Sequence, residues 1–209
     1  MDADPERNRR PLASRGTAVA TMVSRALERA RITPNAISAL GIVFACVAAL
    51  ALWRGGLGGF IAGAVFIQLR LAANLFDGLV AIEGGQASPT GPLWNEVPDR
   101  LEDTVILAGF GLAVAAPILG LWAAIAALFC AYVRVLGGAL GQDQDFAGPM
   151  AKQHRMAALT AACLIGAFEL ALGRPPTIAW LALWAVLFGT LITAGRRLVR
   201  IGRRLEADR

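Results

Sequence analysis

Cysteine and histidine are scarce in this chain. Cys46, Cys130 and Cys163 are isolated thiols inside apolar runs, without a CxxC pair, and His154 is the single histidine among 209 residues. That inventory leaves no thiolate or imidazole set for zinc, and the thiols are expected to pack as small apolar side chains. Lysine is scarcer still: of 20 basic residues only Lys152 is a lysine. The arginines flank apolar segments with no aromatic platform beside them, so nucleic acid is not an expected partner. There is no internal repeat, and the polar cluster lies at one end of the apolar segments, which argues against a small solute transporter. The N-terminal basic region is long, the next 15 or so residues are amphipathic, and no small-residue cleavage site follows; a signal peptide is not expected.

What the chain does have is apolar sequence. Hydrophobic residues make up 56% and the mean hydropathy is +0.58, against about 45–50% apolar residues in soluble domains. The expected fold is therefore all-α: a polytopic membrane protein of six transmembrane helices, preceded by an N-terminal interfacial amphipathic helix. Spans are drawn at about 36–53, 58–82, 93–116, 119–139, 156–173 and 177–195, each near the ~20 residues needed to cross the hydrocarbon. Residues 1–35 form a basic tail and interfacial helix (about 14–31), 36–195 the membrane domain, and 196–209 a basic tail. Seven arginines from Arg7 to Arg31 precede the first span, and five from Arg196 to Arg204 follow the last. By the positive-inside rule both termini are cytoplasmic, an arrangement that requires an even number of spans. Anionic lipid headgroups suffice as partners for these arginines. Trp53, Trp122 and Trp180, near span ends, read as interfacial belt residues.

Two spans break the apolar pattern. The second carries Gln68, Arg70, Asn74 and Asp77; the third opens with Asn95, Glu96, Asp99, Arg100, Glu102 and Asp103. A charge within a span costs roughly 2.5–3.5 kcal/mol on insertion scales, so such residues face a cavity, a partner or a metal. Asn74 and Asp77 are three apart, while Asn95, Asp99 and Asp103 are four apart, so each set shares a helix face. The short connector EGGQASPTGP makes the two helices antiparallel neighbours. Carboxylate and amide oxygens suit a hard cation such as Mg²⁺. Gly78 and Gly91 remove side chains where a substrate can approach backbone. The alternative for Asp77 and Asp99 is an interhelical clasp or pairing with Arg70 and Arg100; for Asn74 and Asn95 it is hydrogen bonding between helices.

These residues resemble the signature D-x2-D-G-x2-A-R-x8-G-x3-D-x3-D of the CDP-alcohol phosphatidyltransferase family. The register here is Asn74, Asp77, Gly78, Ala81, Ile82, Gly91, Asn95 and Asp99, with every spacing kept. Upstream, Thr33, Pro34, Asn35 and Ile37 are similar to the family's T-P-N-x-I entry to its first span. The chain departs from the family at Asn74 and Asn95, where aspartates are usual, and at Ile82, where arginine is usual. It thus resembles a divergent subgroup.

The resemblance implies transfer of a phosphatidyl group from CDP-diacylglycerol to an alcohol acceptor, with release of CMP, at the cytoplasmic face of a bacterial inner membrane. It implies Mg²⁺ or Mn²⁺ held by Asn74, Asp77, Asn95 and Asp99, with Asp103 as the substitute carboxylate and Glu83, Glu96 and Glu102 behind it. Asp99 would be the base. Asp77, Gly78, Ala81 and Gly91 would contact CDP. Arg134, Lys152 and Arg155 are expected either to bind a phosphate or to be positive-inside anchors. A homodimer is expected, since relatives commonly pair. The competing expectation is a relative that binds lipid as a scaffold without turnover, which the two asparagines and the missing arginine keep open.

Overall fold

The computed structural model describes residues 18–83 and 89–207. They form seven helices, α1 (Ala18–Arg29), α2 (Pro34–Arg54), α3 (Gly56–Glu83), α4 (Gly91–Ala113), α5 (Pro117–Ala139), α6 (Lys152–Ala171) and α7 (Thr177–Ala207), with no strand among the described residues. The start of α2 is set by capping chemistry. Thr33 is the N-cap of α2, its hydroxyl accepting from the Ala36 amide at 3.3 Å, and Pro34 fills the first turn where no amide partner is needed. At its far end α7 runs on through the C-terminal arginines to Ala207, so most of the segment expected as a tail is helix.

Five helices are long and apolar enough to cross a membrane: α2, α3, α5, α6 and α7. Their outward faces carry large apolar side chains such as Leu40, Val43, Ile61, Val65, Ile118, Leu121, Phe168 and Leu181, all exposed. A surface of this kind is solvated by lipid, and the chain is an integral membrane protein. The other two are α1, which has 12 residues, and α4, which holds Glu96, Asp99, Arg100, Glu102 and Asp103.

Neighbour relations close into a ring: α2 packs on α3, α3 on α6, α6 on α7, α7 on α5, α5 on α4, and α4 on α2. The helices expected as neighbours, α3 and α4, therefore face each other mainly across the interior, flanked by α2. They run antiparallel. The rings of Phe60 and Phe110 meet edge-on at 6.2 Å near one end, and Asn74 meets Asp99 at the other. The Phe60 end is filled by Leu52, Ile67, Ile106, Leu107, Phe110, Met156, Leu159 and Leu183, all fully buried. The opposite end of the same interior is polar.

Lipid supplies no hydrophobic drive between helices, so close backbone approach does the holding. A Cβ on Gly111 would lie 2.7 Å from the Gly120 Cα, and one on Gly109 would lie 2.7 Å from the Ala49 Cα. These contacts clamp the apolar half of α4 to α5 and α2.

Helix α1 lies against α3. Its Leu27 packs beside Ile37, Ala73 and Val80, and Ser24 is fully buried, while Met22 stays exposed. The apolar face expected to meet lipid is thus shared with the bundle; residues 14–17 of the expected helix lie outside the described residues.

Candidate active site

The polar end of the interior is organised around Arg70. It sits on the inward face of α3, one turn beyond the core residue Ile67, and has no exposed surface. Its Nε donates to Glu102 Oε2, and its Nη2 donates to Asp103 Oδ1 at 2.7 Å. Asp99 Oδ1 lies 3.6 Å from the same nitrogen. One guanidinium thereby ties three carboxylates of α4 to α3, which suits its fixed fork of donors.

Two further cations arrive from the start of α6. Arg155 donates to Asp103 Oδ2, and the Lys152 ammonium donates to Asp99 Oδ1. They are three residues apart on one helix face, so the first turn of α6 delivers both into the ring. Asn74, one turn after Arg70, turns its amide nitrogen onto Asp99 Oδ1 at 2.6 Å and lies 3.3 Å from Glu102 Oε2.

Asp77 is placed differently. It is 7% exposed, and its Oδ2 accepts from the Ser38 hydroxyl on α2 at 2.7 Å. Among the described residues no cationic nitrogen forms an ion pair with it. The TPNAIS segment explains Ser38: Thr33 and Pro34 set the helix start, and Ser38 falls one turn later, facing α3. Gly41, one turn further, faces Asn74 and Glu102; a Cβ there would come within 2.6 Å of Glu102 Oε1.

A rim of ion pairs surrounds this centre. Arg134 of α5 binds Glu96 with 2.6 Å contacts, donates to Gln144, and stacks over Phe146 at 5.1 Å. Arg100 reaches Glu96 at 3.0 Å and lies 3.8 Å from Asp99 Oδ2. The loop between α5 and α6 is held over this rim by Arg197, which donates to the Ala147 carbonyl, and by Arg200, which pairs with Asp145.

Of the residues singled out from sequence, Asn74, Asp77, Asp99, Asp103, Lys152 and Arg155 converge within the ring. Asn95 is exposed at the start of α4. Gly78, Ala81 and Gly91 are partly buried along α3 and at the start of α4, while the side chains of Ile82 and Glu83 lie outside the described residues. Asp103, expected as a substitute ligand, has both oxygens taken by guanidinium groups and is 2% exposed. The expected pairing of Asp99 with Arg70 and Arg100 is present as the longer contacts of 3.6 and 3.8 Å. His154 is exposed, with a ring nitrogen 3.2 Å from the Gly148 carbonyl.

The sequence does not single out Ser38, and it offers Arg70 and Glu102 only as an alternative pairing partner and a reserve carboxylate, not as partners of each other. Arg70 is the one basic residue inside the second span, and that isolation is the signal for a buried partner.

The donor set can be tested against a divalent cation. Among the described residues no group of three acidic, histidine or cysteine side chains is arranged to hold a metal. Asp99 and Asp103 already face nitrogen cations. Asp77 lacks one, and with the neighbouring Asn74 amide it offers the hard oxygen donors that Mg²⁺ or Mn²⁺ takes alongside water and phosphate. The residues present fit one such ion.

No family model matches the chain. It is 27% identical over 201 residues to a phosphatidylinositol phosphate synthase of Streptomyces avermitilis, covering 92% of this chain and 82% of that protein. Its fold matches the Mycobacterium tuberculosis phosphatidylinositol phosphate synthase solved with CDP-DAG bound, with a TM-score of 0.76 and 21% identity over 88% of this chain and 94% of that one. The same protein in complex with manganese and citrate gives a TM-score of 0.75 at 22% identity, covering 87% and 88%. The chain thus shares the fold of this synthase and aligns with its relatives over most of its length.

Proposed function

We propose that this chain transfers a phosphatidyl group from CDP-diacylglycerol to an alcohol, releasing CMP, as a step of phospholipid synthesis. The observation that carries the reading is the convergence of Asn74 and Asp77 from α3 with Asp99 from α4 in the family's register, at the polar end of a membrane bundle. The asparagines mark a divergent subgroup in which the same scaffold is kept with fewer carboxylates. In this reading α4 is the sixth span, its charges neutralised inside the ring, and both termini lie on the cytoplasmic side of an inner membrane.

The chemistry divides among named groups. Asp77 and the Asn74 carbonyl hold Mg²⁺ or Mn²⁺, which supplies charge neutralisation for the diphosphate. Gly78, Ala81 and Gly91 leave room for the cytidine diphosphate beside the backbone. Asp99 has its Oδ1 fixed by Asn74 and Lys152, while Oδ2 lies no closer than 3.8 Å to Arg100. Oδ2 is the atom free to take the hydroxyl proton as the acceptor oxygen bonds to phosphorus and the bond to CMP breaks. Asn95, exposed at the rim, belongs to the entry side of the site.

The acceptor class that the relatives favour is a phosphorylated polyol. Arg134 at the rim, with a planar fork of donors, is the residue to meet its phosphate by exchanging Glu96 for it. Lys152 and Arg155 hold carboxylates and serve the acceptor only through Asp99 and Asp103.

The test is CMP release by purified protein in liposomes containing CDP-diacylglycerol, with Mn²⁺ or Mg²⁺ and a panel of polyol phosphates and unphosphorylated alcohols. Product with a phosphorylated acceptor is the expected outcome. The tight ion pair of Lys152 with Asp99 favours a second reading, a lipid-binding relative without turnover. CDP-lipid binding with no product from any acceptor selects that reading.

A further inference from the structure

We propose that Lys152 is a built-in counter-cation standing where a second metal ion would otherwise sit, so that this site works with one divalent cation. The inference deepens the transferase reading and rests on it for the identity of the substrate. Three observations lead to it.

The first is the crowding of Asp99. Its Oδ1 accepts both the Lys152 ammonium and the Asn74 amide, and Arg70 stands 3.6 Å away. An oxygen that accepts two such donors faces N–H groups, which repel a divalent ion. The second is the contrast with Asp77, which is as buried as Asp99 but is met by the Ser38 hydroxyl and the Gly78 backbone amide and stands in no ion pair among the described residues. A buried carboxylate outside any ion pair is the place in this shell where an added cation gains most.

The third is the charge balance. Arg70, Arg100, Arg134, Lys152 and Arg155 face Glu96, Asp99, Glu102 and Asp103 in ion pairs, and Asp77 is the fifth carboxylate. Five positive and five negative side chains make a neutral shell. One divalent ion then matches the two negative charges of a lipid-linked diphosphate; a second would leave two positive charges uncompensated at the membrane interior. Asn74, at a position where the family motif has aspartate, and Lys152 act on the same oxygen, Asp99 Oδ1. The amide removes a negative charge and donates to Asp99, and the ammonium replaces part of a metal's charge with a tethered one.

Lys152 is a positioning residue in this account, since it acts through Asp99. The experiment is Mn²⁺ stoichiometry by equilibrium dialysis and electron paramagnetic resonance on the full chain in lipid nanodiscs. Wild type is expected to bind one Mn²⁺, Lys152→Arg also one, and Lys152→Met combined with Asn74→Asp two. Lys152→Met alone is expected to tighten the single site by at least about tenfold, because a nearby like charge is removed. Two ions in wild type overturn the proposal, as does none. One ion in a double variant that still melts cooperatively overturns it too; should that variant fail to fold, the wild-type count and the Lys152→Met affinity decide. CMP release is assayed in parallel: one Mn²⁺ without product refutes the transferase reading alone, whereas product with two bound ions refutes the counter-cation alone.

Discussion

Arg70 Nη2 and Asp103 Oδ1 stand 2.7 Å apart with side-chain exposures of 0% and 3%, and the same guanidinium also holds Glu102. Asp103 keeps Arg155 and Asp99 keeps Lys152, but removing Arg70 leaves Glu102 buried without a cation, which costs about 3–5 kcal/mol. Arg70→Met should therefore lower the thermal midpoint sharply in detergent. Adding Glu102→Gln to that variant should recover part of the loss, because the stranded charge is removed. An Arg70→Met midpoint equal to wild type would show that the network contributes nothing to stability.

Asp99→Asn keeps the size of the side chain and its place beside Asn74 and Lys152, but removes the proton acceptor. CMP release should fall by about 10²–10⁴-fold, the usual worth of a positioned base, with the melting curve still cooperative. The measurement is initial-rate CMP formation, and a rate near wild type would strip Asp99 of that role.

Asn74→Asp would set a carboxylate against Asp99 where an amide now donates at 2.6 Å. Without metal the variant should be less stable than wild type; with Mn²⁺ the order should narrow or reverse. A ligand at 100 times its dissociation constant stabilises by about 2.7 kcal/mol, so melting with and without Mn²⁺ resolves the difference. Asn95→Asp, at an exposed position, should change the midpoint far less.

Gly111→Val tests the apolar end. The new side chain would press into the Gly120 backbone, where even a Cβ is too close at 2.7 Å, and overpacking of this kind costs about 1–3 kcal/mol or more. Gly58→Ala is the control, since a Cβ there meets nothing within 4 Å. The yield of monodisperse protein and its melting midpoint should drop for the first and hold for the second.

The origin of each part of this architecture differs. Five of the six expected spans, α2, α3, α5, α6 and α7, could be read from local sequence, because about 20 apolar residues in a row have no other stable fate in lipid. Thr33 and Pro34 announced the start of α2 for an equally local reason, a cap and a preset backbone angle. The motif spacing brought Asn74, Asp77 and Asp99 to one level, since helical periodicity and a short connector leave little freedom.

Partnership was not legible in the same way. Whether a carboxylate faces a metal or an arginine depends on which helices lie across from it, and α6 enters the ring from some 50 residues away. The sequence determined a bundle with costly polar residues at one end, through hydropathy and helical spacing alone. Only the tertiary structure decided that α3 and α4 face each other across an interior, that Arg70 and Arg155 occupy Asp103, and that Lys152 meets Asp99 while Asp77 meets the Ser38 hydroxyl. The physical reason is that the pairing energy of buried charges belongs to contacts between helices, and no single helix encodes it.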